Sequence, residues 1–258
     1  MKRNLFILVS LILSAITFSA CDPNHSEEID YANLVVNDWR LSTINDVYVA
    51  SDKFIIYNIK SDGTMLRALC SSDGRWMENT NFRYTINTHY LTLEGTDVQG
   101  DEWVIELDIS RINTKAMTFG VKSIKKNGIQ QVADNNIYSF VKNEDKGYAP
   151  KLVGIWQGKE ISANASATPI FFVEMNGNGM YSYYKMNAQT ESWEIAFQAQ
   201  YYVYGEILAH NYLNDNSQQE CHCWTIYVDD NNTIRLKAVG TDGNLKEYKF
   251  NRVDGIPQ

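Results

Sequence analysis

The stretch Trp103–Ile109, WVIELDI, decides the fold class. Large apolar residues recur at every second position, and Glu106 and Asp108 lie between them. A period of two places the apolar side chains on one face of an extended strand and the acidic ones on the other. The same period recurs in Trp224–Asp229 (WTIYVD) and Ile234–Val239 (IRLKAV). The sequence therefore predicts half-buried β-strands rather than amphipathic helices.

Turn signals separate these strands at short intervals. Gly follows Asp or Asn at Asp62-Gly63, Asp73-Gly74, Asn127-Gly128, Asn176-Gly177 and Asp242-Gly243. These pairs suit hairpins, because both residues tolerate a positive φ. Only a turn of helix is predicted around Tyr31–Val35 and around Pro150–Val153. Many hairpin-connected strands must hide their edges, so we predict an all-β fold of closed antiparallel barrels.

The tryptophans indicate a duplication. They occur at Trp39, Trp76, Trp103, Trp156, Trp193 and Trp224, and the first three precede the last three by 117, 117 and 121 residues. Both halves also end in an aromatic-x-aromatic-x-basic pattern, Tyr138–Lys142 and Tyr248–Arg252. A period of this length indicates two copies of one domain rather than a solenoid.

The same patterns give the domain boundaries. A first β domain is predicted over residues 33–143 and a second over residues 151–258, with a linker over residues 144–150. The linker is polar, contains a Gly and ends at Pro150, as is typical of a domain boundary.

The amino terminus predicts export and anchoring. Lys2 and Arg3 precede the apolar stretch Leu5–Ile16, and small residues then lead to Cys21, which is the pattern of a signal peptide over residues 1–20. The residues before Cys21 resemble a bacterial lipobox, which implies that Cys21 is lipidated and holds the protein to a membrane. Residues 21–32 are predicted to be a flexible, acidic tether. The resemblance implies an outer-membrane lipoprotein of the cell envelope, and the acidic tether resembles a surface-export signal.

A short motif at the start of the second domain carries a second resemblance. Gly154-Ile155-Trp156 is similar to the Gly-x-Trp motif of the lipocalin and calycin group, in which a basic residue near the end of the barrel packs over the Trp. By sequence order, Arg252 takes that place in the second domain, and Lys142 takes it in the first domain, whose first strand carries Trp39. The chain resembles the tandem lipocalin-like lipoproteins of Bacteroidetes-type bacteria, which implies two lipocalin-like barrels.

Composition and motifs exclude several function classes. The formal net charge is −8, which argues against a nucleic-acid partner, because such binding depends on basic residues. The His residues accompany no Gly-x-Ser-x-Gly elbow and no Ser/His/Asp order. We therefore predict no catalytic residues, no enzymatic activity and no cofactor.

Cys221-His222-Cys223 raises the question of a metal site. On a strand, the two Cys side chains point to one face and His222 to the other, and no second Cys/His cluster completes a tetrahedral site. Nothing in the repeat places Cys70 near the pair. The sequence thus favours local packing and no metal, with a metal site or a disulfide as open alternatives.

Aromatic residues of the second domain are candidates for a ligand pocket. We name Tyr183, Trp193, Phe197 and Tyr202 as ligand-lining residues, because aromatic faces stack on apolar and sugar ligands. The alternative is that they fill the barrel interior as a solid core. The predicted function is a membrane-anchored, non-catalytic binding module for a small apolar or glycan ligand. The alternative function is an interaction lipoprotein whose barrel surfaces contact another envelope or external protein.

Overall fold

Two antiparallel β-barrels of eight strands each follow one another along the chain. The computed structural model describes residues 29–70, 78–162, 169–213 and 219–257. The all-β class and the tandem barrels are confirmed. The predicted signal peptide, Cys21 and most of the predicted tether lie outside the described residues, as does Trp76.

The first barrel closes through its last strand. The strands of this half are β1 Asp38–Ile44, β2 Val47–Tyr48, β3 Ile55–Ile59, β4 Thr64–Leu69, β5 Glu78–Asn87, β6 Tyr90–Thr96, β7 Glu102–Ile112, β8 Ala116–Lys126, β9 Ile129–Gln131 and β10 Ile137–Lys142. β10 pairs with both β1 and β8, which closes the ring. β2 and β9 are short additions that pair with β1 and β8.

The second barrel closes in sequence order. Its strands are β11 Gly154–Glu160, β12 Phe171–Met175, β13 Met180–Asn187, β14 Ser192–Tyr204, β15 Ile207–Leu213, β16 Gln219–Asp230, β17 Thr233–Val239 and β18 Leu245–Val253. Each pairs with the next, and β18 pairs with β11. Trp103 and Trp224 both lie on the sixth strand of their ring, as expected of a duplication.

A single turn of helix precedes the first strand of each barrel, as predicted. These helices are α1, Tyr31–Leu34, and α2, Ala149–Leu152. Helix α1 begins two residues before the predicted start of the first domain. No helix within the described residues has the length and apolar character needed to span a bilayer.

Each first strand carries a fully buried Trp. Trp39 and Trp156 are both 0% exposed. Each indole N–H donates to a carbonyl four residues earlier, at 2.8 Å to Val35 and 2.7 Å to Leu152. Because a buried indole needs a hydrogen-bond acceptor, this contact fixes the helical turn against the first strand.

Arg252 covers the second of these tryptophans. It lies opposite Trp156 in the β11–β18 register, and its guanidinium carbon lies 4.3 Å from the centre of the indole. The same guanidinium donates to the carbonyls of Val153 at 2.8 Å and Lys151 at 2.7 Å. Gly154 has φ +137°, and a Cβ there would collide with Nη1 of Arg252. The glycine therefore leaves room for the guanidinium.

The first barrel keeps the register of this arrangement without its contacts. Lys142 lies opposite Trp39, as Arg252 lies opposite Trp156. Asn37 stands where the second domain has Gly154. Among the described residues, a cation stacks on a first-strand Trp only in the second barrel.

Main-chain and side-chain hydrogen bonds join the two barrels. Ser51 follows β2 of the first barrel, yet its N–H donates to the Val239 carbonyl and its carbonyl accepts from the Cys223 N–H, both at 2.8 Å. Asn143, only 2% exposed, donates to the Tyr204 carbonyl at 3.1 Å and accepts from the Glu206 N–H at 3.0 Å. These contacts hold the end of the first domain against the wall of the second barrel.

Candidate functional site: the lumen of the second barrel

The second barrel encloses a cavity of ≈ 320 Å³ that opens to solvent. Most of its lining is aromatic or aliphatic. The lining residues are Phe171, Val173, Met175, Tyr181, Tyr183, Lys185, Phe197, Tyr201, Leu208, His210, Trp224, Leu236, Tyr248 and Phe250. A concave, mainly apolar pocket of a few hundred Å³ with a few polar groups is typical of a small-molecule site.

The aromatic rings of the lumen contact one another in fixed geometries. Tyr183 stacks on Phe197 with ring centres 4.9 Å apart and planes 15° apart. Phe171 lies 5.0 Å from Tyr183 and meets Phe250 edge-on at 5.7 Å. A side chain at Gly158 would collide with the rings of Phe171 and Phe250, so this glycine on β11 creates space for both. The rings form a preformed apolar wall.

A hydrogen-bonded group of three side chains forms the polar part of the lumen. The Trp224 indole N–H donates to Nε2 of His210 at 2.9 Å, and the Tyr181 hydroxyl lies 2.6 Å from Nδ1. An indole nitrogen can only donate, so Nε2 of His210 carries no proton. The neutral ring then has its proton on Nδ1 and donates it to the Tyr181 oxygen.

The charge state of His210 agrees with this assignment. Burial, with a smaller contribution from the neighbouring His222, lowers the pKa of His210 to about 3. Both ring nitrogens already have protein partners, so His210 orients Tyr181 and Trp224 rather than offering a free base to a ligand. This arrangement suits binding better than proton transfer.

Two further groups set the polarity of the lumen. Burial raises the pKa of Tyr183 to about 12, so its hydroxyl stays neutral and able to donate. Lys185 is exposed, and its ammonium lies 5.6 Å from the centre of the Tyr183 ring. The lumen thus combines an apolar wall with a cation near its opening.

The structure places two of the four predicted lining residues in the cavity. Tyr183 and Phe197 both line it and stack on each other. Trp193 and Tyr202 do not line it, so the prediction is corrected for these two residues.

A β-bulge explains the position of Trp193. Phe197 pairs with Tyr183, but Ile195 pairs with Tyr184, so the register shifts by one residue between them. Such a bulge reverses which residues of a strand face inward. Beyond it, Ile195 is 51% exposed, and Trp193 meets the ring of Phe172 edge-on at 4.6 Å. Phe172 neighbours the lumen residue Phe171 and therefore points to the other face of β12.

Strand alternation explains the position of Tyr202. Tyr201 is 6% exposed and lines the cavity, whereas Tyr202 is 47% exposed. Adjacent residues of a strand face opposite sides, so only one of the two can enter the lumen. The Tyr201 hydroxyl donates to the Asn176 carbonyl at 2.8 Å, which fixes it inward.

The main residues that sequence reasoning missed are Tyr181, His210 and Trp224. In the sequence, Trp224 stands out only as part of the Trp repeat, and His210 belongs to no recognisable motif. The signal that could have found them is the period of two, since Tyr181 precedes Tyr183 by two positions and His210 follows Leu208 by two.

The first barrel has a cavity of its own, with a different lining. It measures ≈ 370 Å³ and includes charged residues. Tyr57 stacks on Phe140 with ring centres 4.8 Å apart, so stacked rings fill part of this lumen. Asp97 accepts from the Trp103 indole at 2.8 Å, where Trp224 of the second barrel meets His210. Both cavities are mainly apolar, but the first also has Arg67, Asp97 and Asp134 in its lining.

The described cysteines lie together at the contact between the barrels. The sulfur atoms of Cys70, Cys221 and Cys223 all lie within 4.8 Å of one another. The repeat gave no indication of this proximity of Cys70 to the pair. As predicted, the two strand cysteines share a face, while His222 binds Ser51 at 2.6 Å and Glu220 at 3.1 Å. Hydrogen bonds from the other two thiols hold the pKa of Cys221 below its usual value.

No protein-family model and no curated protein sequence matches the chain. A solved double mutant of the vaccine antigen transferrin binding protein B from Haemophilus parasuis Hp5 aligns at a TM-score of 0.23 and 7% identity, covering 77% of this chain and 52% of that one. A single mutant of the same antigen aligns at 0.21 and 8%, covering 77% and 60%. The chain therefore spans about half to three fifths of these solved chains, and likeness at this level carries no functional inference.

Proposed function

We propose that the protein is a lipid-anchored, non-catalytic binding module of the cell envelope that holds a small, largely apolar ligand in the lumen of the second barrel. The observation that carries the proposal is the open cavity of ≈ 320 Å³ with its aromatic wall. Burying apolar ligand surface there contributes about 25 cal/mol per Å². The wall is already in place, so little ordering cost opposes binding.

The polar groups of the lumen favour an apolar ligand over a glycan. Sugar hydroxyls need several free donors and acceptors, but both ring nitrogens of His210 already have partners in Tyr181 and Trp224. The Tyr201 hydroxyl donates to a main-chain carbonyl. An apolar ligand leaves these bonds intact, with Lys185 available for an acidic or polar end group at the opening.

The envelope location rests on the amino terminus. The charged start, the apolar stretch Leu5–Ile16 and Cys21 support export followed by lipidation. Several acyl chains, at about 0.8 kcal/mol per buried methylene, would anchor the protein stably in the outer membrane. The geometry of Gly154, Trp156 and Arg252 supports the resemblance to the lipocalin-like group.

A fluorescent apolar probe tests the proposal. N-phenyl-1-naphthylamine is titrated into the detergent-solubilised protein, and saturable binding at one site per chain is expected. Tyr183→Ala and Phe197→Ala should each weaken binding about tenfold, because each removes a ring from the wall. Tyr202→Ala, a change of the same kind on the outer face, is the matched control and should bind like the wild type. Absence of saturable binding, or an equal loss in Tyr202→Ala, would overturn the proposal.

One observation favours the alternative function as an interaction protein. Val47 and Tyr48 on β2 are 70% and 69% exposed, and exposed apolar residues of this size are common at protein contacts. A photo-cross-linker introduced at Tyr48 in intact cells should give a specific adduct with another protein under this alternative. No such adduct is expected if the lumen alone carries the function.

A further inference from the structure

The three described cysteines form a side-chain cluster that the binding lumen does not use. Cys70 follows β4 of the first barrel, whereas Cys221 and Cys223 lie on β16 of the second. They are 5%, 3% and 0% exposed, and their sulfur atoms all lie within 4.8 Å of one another. Two separate sheets therefore bring three thiols to one buried point.

Main-chain contacts hold the three residues in place. The Cys223 N–H donates to the Ser51 carbonyl at 2.8 Å, and the Cys70 N–H donates to the Phe54 carbonyl at 3.1 Å. The Cys70 thiol lies 3.3 Å from the carbonyl oxygen of Cys221. The positions of the sulfurs are thus set by both barrels together, which gives a preorganised group of donors.

We propose that Cys70, Cys221 and Cys223 bind one zinc ion at the junction of the barrels through their three thiolates, with a solvent molecule as the fourth ligand. Zinc takes four ligands in a tetrahedron, with Zn–S distances of about 2.3 Å and hence sulfurs about 3.8 Å apart. The sulfurs need only a small approach to reach that spacing. Binding exchanges the thiol protons for the cation and releases them to solvent. The bound ion would tie the first barrel to the second.

Zinc binding by the reduced, full-length protein tests the proposal. In competition with a chromophoric chelator, the wild type should bind one Zn²⁺ per chain. Cys70→Ser, Cys221→Ser and Cys223→Ser should each weaken binding at least 100-fold. His222→Gln, the matched control between the two strand cysteines, should bind like the wild type. A loss in His222→Gln equal to that in Cys221→Ser would overturn the assignment.

A spectroscopic measurement on the unmodified protein keeps the test valid if a Cys variant fails to fold. Co²⁺ added to the reduced wild type should produce an intense sulfur-to-cobalt charge-transfer band, and Zn²⁺ should remove it. A reduced wild type that binds neither metal overturns the proposal. Binding of Cu⁺ in preference to Zn²⁺ overturns the choice of metal.

Discussion

Replacing Arg252 by Ala should destabilise the protein much more than the same change at Lys142. The two residues hold the same register position opposite Trp156 and Trp39, but only Arg252 stacks on its Trp, at 4.3 Å. A stacked cation contributes about 0.5–2 kcal/mol. The two hydrogen bonds to the Val153 and Lys151 carbonyls contribute about 1 kcal/mol each after allowance for their partial exposure. The expected loss in the free energy of unfolding is therefore about 2.5–4 kcal/mol for Arg252→Ala.

Urea unfolding followed by Trp fluorescence measures this difference. Lys142→Ala should cost less than about 1 kcal/mol, as is usual for a surface substitution. Arg252→Lys keeps the charge but loses the planar guanidinium, so it should fall between Arg252→Ala and the wild type. If Arg252→Ala and Lys142→Ala cost the same, the stacked guanidinium is not what closes the second barrel.

A double-mutant cycle with Gly154 extends the test. Gly154→Ala places a Cβ against Nη1 of Arg252 and forces an alanine to φ +137°. Part of its cost comes from displacing the guanidinium, so that part should vanish when Arg252 is already Ala. Strict additivity of the two changes would contradict the explanation given for the glycine.

Three further predictions concern the core, the lumen and the anchor. Trp156→Ala should cost about 3–5 kcal/mol in the free energy of unfolding because the residue is fully buried, whereas Trp193→Ala should cost less; an unchanged melt for Trp156→Ala would contradict its core position. His210 has a folded pKa of about 3 against about 6.5 in the unfolded chain. Between pH 3 and pH 6.5, about the two pKa values, the His210 side chain is therefore protonated in the unfolded state but not in the folded state. As the pH falls below about 6.5, this difference lowers the free energy of unfolding by up to about 1.4 kcal/mol per pH unit. His210→Gln should flatten that dependence, and an unchanged slope of stability against pH would refute it. Cys21→Ser should move the protein from the membrane to the soluble fraction, and continued membrane association would refute the lipobox.

Much of the fold could be predicted because it depends on local patterns. The alternation in Trp103–Ile109 set the strand type, since a half-buried strand needs one apolar face. The repeat placed Trp103 and Trp224 on equivalent strands. The turn of helix before each first-strand Trp was also predictable, and the indole bond to Leu152 shows why it forms there.

The features that sequence reasoning missed depend on tertiary contacts. The bulge in the β13–β14 pairing, between Tyr183 and Tyr184, changes which residues of β14 point into the lumen. No residue type marks this bulge, so the sequence predicts Trp193 as a lining residue. Cys70 meets Cys221 only because two barrels pack together, which strand periodicity within one domain cannot reveal. The shape of the lumen also depends on Gly158, because a Cβ at this position would collide with the ring of Phe171. This contact joins two strands and cannot be predicted from either strand alone.

We have proposed that the lumen of the second barrel holds a small ligand. Native mass spectrometry of the full-length protein, released gently from the membranes of the cells that make it, shows whether that ligand is present. The wild type should carry one small molecule per chain, Tyr202→Ala should keep it, and Tyr183→Ala should lose it. A wild-type spectrum that contains only the bare lipidated polypeptide, indistinguishable apart from the substitution from that of Tyr183→Ala, would contradict binding of a small ligand in this lumen.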